Sequence, residues 1–219
     1  MRNIDHGVSE KKIKELIGIV NSQFVAHDSM TKDLESANGN GIFNADYVDA
    51  KRKEIKKKYD EATIVRANQM LDCVSAIAEV ETENVKVFDI TEVEYQGAIN
   101  MISLMGKNLD RNSADAIIVS LKGKFKALTF IKNAFKEKEI GYSESVARYF
   151  ADPIAVIGNL QNDIESVSLG NMNFVKLLDI HKSILDLAVV LGIELSDDEK
   201  KANISEAQRI ERARAVMGL

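Results

Sequence analysis

Apolar residues recur at Ile13, Leu16, Ile17, Val20 and Phe24, a spacing of three and four that gathers them on one helical face. Ser9 stands where a cap is expected, and Val8 and Ile13 lie at the spacing of a hydrophobic staple. The pattern fades near Leu34. The stretch SANGNGIFN then brings two Asn-Gly pairs, which favour a turn. Asn44 is placed to cap a second helix, with Phe43 and Val48 at staple spacing and no breaker before Val80. About 36 residues at 1.5 Å each make a rod of roughly 54 Å. Two long helices joined by a short loop predict an antiparallel hairpin, although the heptads are too irregular to demand a supercoil.

Beyond it, NVKVFDI (84–90) is the one strand-like run, and with no second strand to pair it is expected as an extended connector. Thr91 and Glu94 have the spacing of a capping box, with Ile90 and Tyr95 as its staple, and that helix is expected to stop at Gly106. Ser113 is expected to open the next helix, whose apolar face runs through Ala114, Ile117, Ile118, Leu121, Phe125, Leu128 and Ile131. Gly123 should kink or split it, and Gly141 is its expected stop. A short helix is expected from Ser143. Asp152 and Pro153 then restart the chain as cap and first helical residue. Two further amphipathic helices follow, up to Gly170 and Gly192, and the Ser196–Glu199 box predicts a polar last helix reaching Met217. The fold class that results is all-α: a long antiparallel hairpin with its connector (1–90), a helical bundle (91–195) and a charged C-terminal helix (196–219).

Composition sharpens this picture. One proline and twelve glycines in 219 residues are too few for the many turns of a sandwich or barrel. An apolar fraction of 45% with 29% charged residues is that of a chain able to bury a core. The net charge of −5 argues against a general nucleic-acid binder. Cys73 is the sole cysteine, so an intramolecular disulfide is impossible and a reducing setting is expected. MRNIDHGVSEKK has no apolar core of the secretory kind, and no run suits a membrane span. The expected location is the cytoplasm, or a virion if the chain is viral.

Two basic stretches call for a decision. Lys51, Arg52, Lys53, Lys56, Lys57 and Lys58 are offset by Asp46, Asp49, Glu54, Asp60 and Glu61. Pairs at i,i+4 join Asp49 to Lys53, Glu54 to Lys58, Lys56 to Asp60 and Lys57 to Glu61, the habit of a solvated helix face. Lys51 and Arg52 have no acid at i+4 and keep a phosphate role open. Residues 107–138 carry eight positive and three negative charges, with Phe125, Phe130 and Phe135 among them. That mixture suits nucleic acid, yet on a helical wheel the lysines scatter to both flanks of a core stripe, as snorkelling side chains do.

Catalytic and metal chemistry find little footing. His6, His27 and His181 form no chelating pair, and no phosphate-loop pattern is present. His181, on an apolar face, and Cys73, beside Val74, are expected in the interior. An enzyme would have to assemble its site from isolated groups such as Arg148, Asp152 and His181. No catalytic residue, metal or cofactor is therefore expected.

What remains is a non-enzymatic assembly, scaffold or adaptor protein, self-associating as a homo-oligomer or docking into a larger complex such as a viral or phage particle. Tyr47, Val48, Ile55 and Tyr59 supply a narrow apolar stripe for that contact. The alternative partner is nucleic acid, held by Lys51 and Arg52 or by Lys122, Lys126, Phe130, Lys132 and Lys136. A membrane is not expected as a partner.

Overall fold

A computed structural model describes residues 4–38, 45–168, 173–205 and 208–209. Among them the chain is all-α. Its helices are α1 (Gly7–Asn38), α2 (Ala45–Asn84), α3 (Val93–Met105), α4 (Arg111–Ser120), α5 (Phe125–Glu137), α6 (Glu144–Ala147), α7 (Pro153–Ser168) and α8 (Phe174–Val190). Phe43, the Asn44 cap, both turn glycines Gly39 and Gly41, Gly170 and the end of the expected last helix lie outside the described residues. The stretch 85–92 is turn and irregular chain, as an unpaired strand-like run must be.

Partners descend α2 as α1 ascends, which makes the pair an antiparallel hairpin. Ser9 meets Glu81, Gln23 donates to Thr63 at 2.7 Å, and the rings of His27 and Tyr59 lie 6.0 Å apart. Gln23 is wholly buried, and its amide is satisfied at both ends because Arg66 donates to its oxygen at 2.9 Å. A satisfied buried amide fixes register, since a slip of one turn would leave it without partners.

Two compact units interleave the linear segments 1–90, 91–195 and 196–219. One comprises Met1–Lys12, Ser75–Asn159 and Leu185–Leu195; the other comprises Ile13–Val74, Leu160–Ile184 and Ser196–Leu219. The helices α1, α2, α7 and α8 each lend residues to both. The first unit is built on Tyr95, Ile102, Ile118, Leu121, Leu128, Ile131 and Phe135. In the second, Ile13, Leu16, Val20 and Phe24 of α1 are fully buried, and the Phe24 ring meets Phe174 edge-on at 5.8 Å. Each such side chain contributes ~1.5–3 kcal/mol by leaving water.

Several helix ends differ from the sequence reading. Ser9 lies inside α1, which starts at Gly7, and its hydroxyl serves Glu81 rather than a cap; Val8 is exposed, so no staple forms. Thr91 gives both its N–H and its hydroxyl to Asp89 instead of capping α3, whose cap position is Glu92. Ile90 is exposed and does not staple Tyr95. Asp110, not Ser113, caps α4, accepting from the Ser113 N–H at 3.0 Å. The helix α5 ends before Gly141, with Glu139 in the left-handed region and Ile140 N–H returning to the Phe135 carbonyl. Gly106, Gly123 and the Asp152-Pro153 pair behave as expected, with Asp152 accepting from the Ile154 N–H at 3.0 Å.

The Ser196–Glu199 box forms, yet only a turn follows it. A second box, Ser205 with Gln208, lies beyond, where an acceptor from glutamine replaces the expected glutamate. Gln208 is 3% exposed and donates to the Phe24 carbonyl at 2.9 Å, while Ser205 donates to Asp28. Ser205 and Gln208 are therefore tied to α1. Gln208→Ala should lower stability by about 1–2 kcal/mol, read from the midpoint of urea unfolding; an unmoved midpoint would show that the contact carries no weight.

Candidate protein-interaction site

The far part of the hairpin is built differently from its base. Among described residues with an assigned exposure, none from 28 to 37 or from 45 to 58 is buried. Met30, Thr31, Leu34 and Ala37 of α1 and Val48 and Ile55 of α2 are only half-covered. Two helices alone can shield just one seam, so these side chains stay partly wet. Between the helices opens a groove of about 630 Å³, with Met30, Asp33, Tyr47, Lys51, Ile55 and Tyr59 among its lining.

Three of the four apolar positions singled out in the sequence thus share one groove. Tyr47 is 55% exposed at its rim, and Ile55 is half-buried along it. Tyr59 departs from the expectation. It is 8% exposed, packs against His27, and forms the floor rather than a free contact. Burial pushes its phenol pKa up, against the opposing pull of Gln23 and Thr63 beside it. Val48 is half-buried on the same helix.

The basic run borders this groove as a solvated face. Glu54 receives Lys58 at 2.7 Å and Lys51 at 3.0 Å, and these two cations hold its carboxyl down at about 2. Lys51 therefore has its acid at i+3 rather than at i+4. Lys57 meets Glu61 at 3.9 Å. Arg52, Lys53 and Lys56 line a hollow of about 560 Å³ with Asp49 and Leu34.

The 107–138 stretch yields no single stripe. Lys122 pairs with Glu194 and Lys124 with Glu92 at 2.8 Å. Lys132 sits over the Phe150 ring at 5.5 Å, and Phe130 stacks on Phe88 at 4.8 Å while remaining partly exposed. Lys126 and Lys136 are exposed. Arg148 lies over Tyr149, Asp152 is spent on its capping bond, and His181 and Cys73 are buried, His181 against Phe24. Among the described residues, no group of three or more His, Cys, Asp or Glu side chains could hold a metal, and no helix is long and apolar enough to cross a membrane.

One polar cluster escaped the sequence reading. Glu81, 1% exposed, accepts from Ser9, from His6 Nδ1 at 2.9 Å and from Asn84 at 3.2 Å. His6 Nε2 lies 3.2 Å from the Gly123 carbonyl. Both ring nitrogens face acceptors, and only the imidazolium can donate to both. Burial alone would lower the His6 pKa, but the bond to Glu81, its charge and the Gly123 carbonyl outweigh it and raise the pKa. Ser9 is fully buried and donates to Glu81, not to His6, so the trio makes a latch and not an activated nucleophile. A histidine, a serine and a glutamate 75 residues apart leave no local signal that could have found it. Comparison of the chain with protein-family models, with curated proteins and with solved structures finds no match.

Proposed function

We propose that this chain is a non-enzymatic assembly or adaptor protein that works by helix docking, with a second copy of the chain as the first partner at the hairpin groove. The observation that carries this reading is the far half of the hairpin. There, no side chain with an assigned exposure is buried, yet an apolar row of Met30, Ala37, Tyr47 and Ile55 lines an open groove of about 630 Å³. A further helix laid in that groove would complete a three-sided core, the arrangement by which helical hairpins gain stability. The charges at the rim, Lys51 and Lys58 around Glu54 with Asp33 opposite, include both signs and would set register more than affinity.

Light scattering on a sizing column tests it. The protein should run above the mass of one 24.3 kDa chain, and Ile55→Asp should weaken that association by about tenfold or more. Because Ile55 is only half-buried, helicity by circular dichroism should stay unchanged. Association that survives Ile55→Asp and Tyr47→Ala together would remove the groove from the account. Co-migration with duplex DNA at low salt and release at high salt would favour nucleic acid instead.

A further inference from the structure

The helix α3 belongs to the other compact unit and has a chemistry of its own. Its thirteen residues, VEYQGAINMISLM, carry a single charge. Tyr95, Ala98 and Ile102 face the core. The opposite side is also apolar: Val93, Gly97, Met101 and Leu104 recur at four, four and three, one stripe of a helix. Val93 is 82% and Leu104 87% exposed, and Met101 and Met105 are exposed too. Gln96, Asn100 and Ser103 are polar and exposed on one flank, so α3 carries a covered core face and, apart from it, an exposed apolar stripe.

We infer that the exposed stripe of α3 is a second self-association surface, on which two copies of the chain pair their α3 helices antiparallel about a twofold axis. Charge selects the occupant and its direction. The N-terminal end of α3 is bordered by Asp89, Glu92 and Glu94, of which Glu92 and Glu94 share the cation Lys124. The C-terminal end is followed by exposed Lys107 and Arg111, which outnumber the exposed Asp110 between them. An antiparallel pair sets the acidic end of each copy against the basic end of the other; a parallel pair would set like against like. The stripe between holds no charge, so a copy can meet itself without repulsion. Shape agrees with charge. Open space surrounds the Cα of Gly97, leaving a notch. In the antiparallel register that matches the two ends, Met101 of one copy lies opposite Gly97 of the other, and the symmetry makes the contact twice. The stripe is about 20 Å long, below the span of a standard interface, so the pairing is weak, with a Kd on the order of tens of micromolar.

The surface is independent of the hairpin groove, and Ile55→Asp separates them. In that background, sedimentation equilibrium up to a few hundred micromolar should still show a dimer. Adding Leu104→Glu should raise its Kd about tenfold or more without loss of helicity, since the site is exposed. Lys107→Glu should weaken the dimer, and Glu94→Lys with Lys107→Glu should restore it. A cysteine at exposed Asn100, near the axis, should give a disulfide-linked dimer on mild oxidation, while one at Val93 should not; Cys73 is buried and stays out of the reaction. Cross-linking at both positions would mean a parallel pair and overturn the inference. So would a single-chain mass at every concentration, or binding of this face to phosphatidylcholine vesicles that Leu104→Glu abolishes. If the Ile55→Asp protein dimerises and the wild type forms nothing larger, the groove reading fails while this one stands.

Discussion

Gly123→Ala is expected to cost more than about 3 kcal/mol of folding stability. Gly123 has φ +76°, a conformation that strains any residue with a Cβ. A Cβ built there would stand 2.5 Å from the Leu191 carbonyl oxygen and 3.1 Å from His6 Nε2. The first obstacle is backbone, in a peptide plane held by the bond from the Gly192 N–H to the Val189 carbonyl, so it cannot swing aside. Gly192 makes the reciprocal demand, with φ +69° and the Gly123 nitrogen 3.0 Å from its would-be Cβ. Two turns, one closing α4 and one closing α8, are therefore stacked backbone to backbone. Gly158→Ala is the control: it lies inside α7 with nothing within 4 Å of the new carbon, and should gain up to ~1 kcal/mol. Urea unfolding of the three proteins decides it. A Gly123→Ala midpoint within about 1 kcal/mol of wild type would mean that the two turns give way easily and that their stacking is incidental.

That pair of glycines shows what a sequence can and cannot yield. Gly123 was legible as a break because a glycine interrupts an otherwise helical apolar face, and the break falls there. Its partner Gly192 was legible only as a helix stop; nothing local says that the two stops touch. The same division runs through the fold. The core faces of α1, α4, α5, α7 and α8 follow from residues three and four apart, and Ile13, Leu16, Val20, Phe24, Ile118, Leu128 and Ile131 are buried as that spacing predicts. Caps fared worse. Ser9, Thr91 and Ser113 each have the right neighbours for capping, yet Glu81, Asp89 and Asp110 compete for the same hydroxyls and N–H groups.

The interaction surfaces divide likewise. Tyr47 and Ile55 could be picked out because a narrow apolar stripe on a charged helix has to meet something. Tyr59 was misjudged because its cover comes from His27 on the antiparallel neighbour, 32 residues earlier in the chain. The α3 stripe was the more accessible signal. A helix with one charge in thirteen residues, whose Val93, Met101 and Leu104 fall off its core face at helical spacing, carries a second apolar stripe that the spacing shows. Reading it for its core face hid the face left over.

The latch at His6 and Glu81 supports the second large prediction. Glu81→Ala should cost about 3 kcal/mol near pH 6, because it leaves the Ser9 hydroxyl buried without its acceptor and strips the half-buried His6 cation of its counter-charge. The groups facing His6 are Asp5 from its own segment and Glu81 from α2; the turn that holds Gly123 also carries Lys122 and Lys124, each bound to a carboxylate of its own. The folded His6 pKa is raised above its usual 6.5, so the stability from this pair is complete below that value and lost as pH climbs from about 6.5 through the raised pKa. Without Glu81, burial becomes the dominant influence on the imidazole and pulls its pKa down. The sign then reverses: Glu81→Ala should lose His6-linked stability as pH falls. Urea midpoints from pH 5.5 to 8.5 for wild type, Glu81→Ala and Glu81→Ala with His6→Gln give the two slopes, and the His6 ring-proton titration followed by NMR gives the pKa directly. A wild-type slope of the same sign as that of Glu81→Ala would mean that the carboxylate is not what holds the proton on His6. Opposite slopes would establish that this half-buried ion pair, spanning 75 residues of chain, closes the N-terminal segment onto the end of α2.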